Sequence, residues 1–239
     1  MVLGAAAAAV LVAIVVVGAP GGVRTTENPE PTPAAGRPLF SGSLEAGVRY
    51  RTRSFIPPLS FVVSDRDWMA MDATRTDVLR LDRRIRSDAP GSELPSRSSL
   101  TFSRLTQVPE LPRRSADLAL VNVHAWLKNH RDLVVGRARP VTIAGIRGRS
   151  FPVAVHFSRP ARAAGACRPL LIVCTSIAPD RYYPDGTRLR TIVLPLADGP
   201  FVIDLQGTSQ RDLDEIEAPA AAILRSLRID VTRPGFKRP

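Results

Sequence analysis

Three arginines, Arg49, Arg51 and Arg53, alternate with Val48, Tyr50 and Thr52. In an extended strand alternate side chains share a face and repeat every ~6.6 Å, so the three guanidinium groups line one surface. Guanidinium forks bind phosphate and carboxylate bidentately, which makes this row a candidate anion-binding site. The same pattern also describes the solvated face of an amphipathic edge strand, where charge discourages aggregation. A second candidate is the segment Asp180 to Gly186, DRYYPDG, read as a loop. Beside its Pro-Asp-Gly turn, Tyr182 and Tyr183 either present amphipathic rings to a partner or pack one ring inward to pin the loop.

The remaining reactive side chains form no recognisable catalytic set. Cys167 and Cys174 are the only cysteines; outside the cytoplasm an even count suggests a disulfide. Seven extended steps span about 23 Å, while a bridge needs Cα atoms within about 7 Å. The bridge therefore requires a turn near Arg168-Pro169, and it would contribute about 2.5 kcal/mol in the chain-entropy account; two small buried thiols are the alternative. His124, His130 and His156 form no HExxH pattern, and a spacing of six does not stack His124 on His130 along a helix. With no CxxC, no metal site is expected. There is no GxSxG elbow, and Ser150, Ser209 and Ser226 fall where capping or solvent exposure accounts for them. Gly145-Ile146-Arg147-Gly148 lacks the pattern of a phosphate loop and fits a hairpin turn. No catalytic residue and no cofactor is expected.

The net charge is +11, with 33 basic against 22 acidic residues, and Lys128 and Lys237 are the only lysines. Residues 1–23 carry no charged side chain, so the whole excess lies after them. Such a charge attracts anionic polymers, acidic partners and anionic lipid head groups; arginine-rich, alanine-rich usage also follows from a GC-rich genome. Nucleic acid is not an expected partner: the basic strand lacks interleaved aromatic rings, and export would separate the domain from it.

The elements that must position these groups follow a leader. The run MVLGAAAAAVLVAIVVVGAPGGV (1–23) is long and apolar enough to span a bilayer as a transmembrane helix or to serve as a signal peptide. The segment 24–46 holds Pro29, Pro31, Pro33 and Pro38 and reads as an extended linker. An extracytoplasmic domain is expected over 47–230, with a basic tail over 231–239. Strands are predicted over Leu59–Val63, Thr76–Asp82, Leu100–Leu105 and Leu170–Val173, with a polar loop over Arg83–Arg97. Hairpins are predicted for Val141–Ile143 with Arg149–Phe157, and for Arg188–Leu196 with Phe201–Gln206. In the last strand Phe201, Ile203 and Leu205 face the core, and Asp204 and Gln206 face out. One helix covers Asn122–Asn129 with Asn122 as its cap. A C-terminal helix begins with Ser209 and Asp212 as a capping pair, is kinked or restarted at Pro219, and buries Ala220, Ile223, Leu224 and Leu227. The fold class is α+β: an antiparallel twisted sheet covered on one face by the C-terminal helix and one shorter helix. With aromatics at 5%, the core is expected to be mostly aliphatic.

The exported leader, the proline-rich spacer, the antiparallel sheet and the tail Phe201-Val202-Ile203-Asp204-Leu205-Gln206-Gly207-Thr208, followed by Ala221-Ala222-Ile223-Leu224-Arg225-Ser226-Leu227, resemble the Mog1/PsbP-like exported proteins of actinobacteria, the LpqN-like lipoproteins among them. The chain departs from the lipoprotein members in having no cysteine at the end of its leader. The resemblance implies a non-catalytic binding or assembly module and carries over no catalytic residue. The expectation is a membrane-tethered or secreted module on the extracytoplasmic face of the cell membrane, engaging a protein partner or an anionic envelope polymer or lipid. The alternative is a secreted hydrolase whose site, built on His130 or His156 with a serine and a carboxylate, assembles only in the fold.

Overall fold

The computed structural model describes residues 36–71, 73–84, 97–104, 120–156, 168–169, 182–183, 185–197 and 199–231. The chain enters through β1 (Arg37–Pro38), β2 (Gly42–Ser43), β3 (Arg49–Arg51), β4 (Leu59–Val62) and β5 (Trp68–Met71). It continues through β6 (Val78–Arg84), β7 (Arg97–Arg104), helix α1 (Leu120–Asn129), β8 (Leu133–Val135), β9 (Arg139–Ile143) and β10 (Ile146–Val155). Then come β11 (Arg168–Pro169), β12 (Tyr182–Tyr183), β13 (Arg188–Leu196), β14 (Gly199–Gly207), helix α2 (Gln210–Ser226) and β15 (Arg228–Ile229).

Among the described residues nine strands form one antiparallel sheet in the order β2-β5-β6-β7-β14-β13-β10-β8, with β9 also on β10. A smaller sheet has the order β1-β3-β4-β15, in which β1 runs parallel to β3. The α+β class is therefore as the sequence predicts. The folded part begins earlier than expected: β1 and β2 fall inside the segment read as linker, and Leu39 and Leu44 are buried in the core. Two or three ladder residues at a sheet's margin leave no alternating pattern to read.

The strand alternation of β14 shows why the two helices are separated. Phe201, Ile203 and Leu205 point to one face, with Leu81, Leu100 and Leu194, and the apolar stripe of α2 covers them through Leu213, Ile216, Ala220 and Ile223. Val202 points to the other face, with Val193, Phe151 and Val153, and Val123 and Leu127 of α1 cover that cluster. Both faces are thus covered, one by each helix, where the sequence had placed both helices on one face. Asp204, expected to face out, is 1% exposed, and Thr191 Oγ1 donates to its Oδ1 at 2.7 Å. A buried carboxylate needs such donors. The few aromatic residues concentrate in the first core: Tyr50, Phe61, Phe102, Phe201 and Phe55 make successive ring contacts with centroids 6.0–6.4 Å apart. The core is mostly aliphatic, as the composition predicts; within it these large rings fill space with few side chains.

Helix α2 is capped as its sequence predicts, Ser209 accepting from the Asp212 N–H at 3.2 Å. It is continuous through Pro219 and does not restart there. Proline removes the donor that would reach the Glu215 carbonyl; Arg83 Nη1 donates to that oxygen instead, at 3.4 Å. At the other end Ser226 Oγ accepts from the Val62 N–H at 2.8 Å and so ties α2 to β4. Asn122, expected as the cap of α1, lies inside that helix, which starts at Leu120.

Residues 1–23, 232–239, Leu170–Val173 and the cysteines Cys167 and Cys174 lie outside the described residues, so the leader, the tail beyond Val231, one predicted strand and the expected disulfide do too. Among the described residues no helix is long and apolar enough to cross a membrane.

Candidate functional site: a basic groove beside helix α1

The site grows from one proline. Within a strand a residue's N–H and C=O point to the same side, and the Pro152 carbonyl accepts from the Gly136 N–H at 2.9 Å. The donor that proline lacks is therefore missing on that same side, and the ladder breaks there. β8 pairs with Val153–Val155 and β9 with Ile146–Ser150, both antiparallel to β10. Gly136, Arg137 and Ala138 bulge out between them. Bulges of this kind re-aim side chains and recur beside functional sites. Glycine is required at the first bulge position, since a Cβ on Gly136 would lie 2.6 Å from Pro152 Cγ. The predicted five-residue turn of this hairpin is tighter than expected: Ile143 pairs with Ile146, and Ala144 and Gly145 both take positive φ, 51° and 76°. Those angles suit a two-residue hairpin turn.

Helix α1 forms the facing wall. Val123 and Leu127 pack on the sheet, which leaves the next residues along, His124 and Lys128, one turn apart on a shared edge. His124 Nε2 lies 3.3 Å from the Gly136 carbonyl, so Nε2 carries the proton in that contact, and the ring sits edge-on to Phe151 at 4.8 Å. This contact pins the bulge to the helix. Between them runs a groove of about 550 Å³ lined by His124, Lys128, Val135, Gly136, Arg137, Ala138 and Arg149.

Among the described residues the lining holds three cations, one histidine and no carboxylate. Arg147 stands on the same face of β10 as Arg149, two residues toward the turn. Lys128, Arg137, Arg147 and Arg149 are exposed and make no ion pair or hydrogen bond among the described residues. Other arginines are occupied: Arg83 reaches Asp65 and Asp67, Arg80 bonds Asp82, and Arg190 bonds Glu217. The segment 133–155 carries four arginines and no acidic residue. That run of uncompensated arginines is the sequence signal of the groove.

The row Arg49, Arg51 and Arg53 occupies a different place. β3 is an inner strand of the small sheet, between β1 and β4. Arg49 Nη1 donates to the Ser226 carbonyl at 3.2 Å, Arg51 Nη2 lies 3.9 Å from Asp230 Oδ2, and Arg53 stacks over the Phe40 ring at 5.1 Å. Each guanidinium already has an intramolecular neighbour, and two of them tie β3 to the chain around the end of α2. Tyr182 and Tyr183 form a short strand on Arg168–Pro169 rather than lying in a loop.

The histidines stand apart. His130 Nδ1 accepts from the Asp132 N–H at 3.2 Å, its ring against Trp126. His156 Nδ1 lies 3.9 Å from Asp185 Oδ1. Ser209 and Ser226 serve the two ends of α2. Among the described residues no cluster of His, Cys, Asp and Glu is fit to hold a metal. No protein-family model matches the chain, and no curated protein matches it.

Proposed function

We propose that this chain is a non-enzymatic binding module, tethered to or secreted across the cell membrane, that engages an anionic envelope component or an acidic partner through the groove beside α1. The observation that carries the reading is the set of cations Lys128, Arg137 and Arg149, unengaged among the described residues, around a groove whose described lining holds no acidic residue. Uncompensated like charges repel one another in the free protein, and an arriving anion relieves that repulsion while displacing their counterions. The anion-binding role assigned on sequence to Arg49, Arg51 and Arg53 moves to this groove, because those three guanidinium groups are already engaged. The uncharged leader and the proline-rich segment after it support an extracytoplasmic location. The order of elements keeps the resemblance to the Mog1/PsbP-like exported proteins as part of the proposal.

The test is calorimetric titration of the purified chain with pyrophosphate at low ionic strength. Binding is expected, is lost in the triple variant K128S/R137S/R149S, and persists in R49S/R51S/R53S. Absence of binding by the wild-type chain, or equal loss in both triple variants, overturns the reading. Ester hydrolysis by the wild-type chain that disappears in His156→Ala would replace it with the hydrolase alternative.

A further inference from the structure

We infer, resting on the anion-binding reading, that the groove takes the terminal phosphate of a linear phosphate chain, with the second phosphate held by Arg147. Three cations line one groove, Lys128 from α1, Arg137 from the Gly136 bulge and Arg149 from β10. A terminal phosphate offers nearly two negative charges and three acceptor oxygens. A carboxylate offers one charge and two oxygens, which leaves part of this set unanswered. Arg147 then follows Arg149 on the same strand face at about 6.6 Å. It is exposed and has no partner among the described residues, and its cross-strand neighbour on β9 is the uncharged Thr142. A chain leaving the groove along β10 meets it next.

The groove is not shaped as a lipid-docking surface. Surface binding to a bilayer combines basic charge with apolar side chains that insert beside it. Among the described residues the exposed large apolar side chain of this region is Val134, which alternates with Leu133 and Val135 and so points to the opposite face of the sheet. The charges of the groove are therefore better matched by a soluble chain than by a head group held in a membrane plane.

The experiment titrates the full chain with orthophosphate, tripolyphosphate and long-chain polyphosphate, with poly-glutamate of equal charge and phosphatidic acid vesicles as controls. Tripolyphosphate is expected to bind about tenfold or more tighter than orthophosphate, since one further charge-assisted contact is made. Arg147→Ser should remove that gain while leaving orthophosphate affinity unchanged, and Arg149→Ser should weaken both. For long-chain polyphosphate, Arg147→Ser should lower the slope of log affinity against log salt by about 0.7. Equal affinity for orthophosphate and tripolyphosphate, an unchanged Arg147→Ser profile, poly-glutamate binding as tight as polyphosphate, or binding to vesicles alone would each overturn the phosphate-chain assignment. Orthophosphate binding without chain-length dependence would leave the anion-site reading standing. Loss of every anion would remove both.

Discussion

Replacing Gly207 by alanine tests how tightly α2 is docked on the sheet. Gly207 ends β14, two residues before the helix cap, and its φ is not among the positive values. Alanine therefore meets no backbone objection, and it gains about 0.4–1 kcal/mol by restricting the unfolded chain. Against this stands a clash with main chain. A Cβ at Gly207 would lie 2.4 Å from Leu213 N, 2.8 Å from the Asp212 carbonyl carbon and 2.9 Å from Leu213 Cα. Non-bonded carbon contacts settle at about 3.5–4.0 Å, so the first turn of the helix must retreat by roughly an ångström. Leu213 and Ile216, 2% and 0% exposed, would retreat with it. Overpacking costs about 1–3 kcal/mol, and contact with three rigid main-chain atoms places this site at the upper end. The net expectation is a loss of about 2 kcal/mol, read as a lower urea midpoint with unchanged slope and a Tm about 4–8 °C lower. Gly36→Ala serves as the comparison: its Cβ would meet Arg51 Cβ at 3.3 Å and main chain at 3.4 Å, and its effect should stay within about 0.5 kcal/mol. A Gly207→Ala protein as stable as wild type, or less damaged than Gly36→Ala, would refute the docking argument.

Two further outcomes are expected. Thr191→Val takes the 2.7 Å donor from buried Asp204 and should cost about 1–3 kcal/mol in urea unfolding; a neutral result would mean that Asp204 does not depend on this bond. Gly136→Ala drives a Cβ toward Pro152 and displaces the bulge that carries Arg137. It should weaken pyrophosphate binding several-fold by calorimetry, while unchanged affinity would show that the bulge does not shape the groove.

Much of the framework was readable because it depends on local pattern. Phe151, Val153 and Val155 alternate as a half-buried strand and are buried in that way. Arg188–Leu196 and Gly199–Gly207 pair as a hairpin closed by two residues, which turn chemistry and alternation suggest by themselves. Ser209 and Asp212 mark the start of α2 for the same reason: capping is decided within four residues. Continuity through Pro219 was not legible, since proline locally removes a helix bond and the side chain of Arg83, far away in sequence, supplies a donor for the freed carbonyl.

Sequence alone determined the α+β class, the alternation of the long strands, the start of the last helix and the basic excess, because period, capping and charge are properties of neighbours along the chain. Tertiary structure decided that the helices cover opposite faces, that Asp204 is buried, and that Arg49, Arg51 and Arg53 are engaged within the fold. It also decided that Lys128, Arg137 and Arg149 line one groove. Those outcomes turn on which strands pair and where a ladder breaks at Pro152, and pairing between distant segments is written in no single stretch of residues.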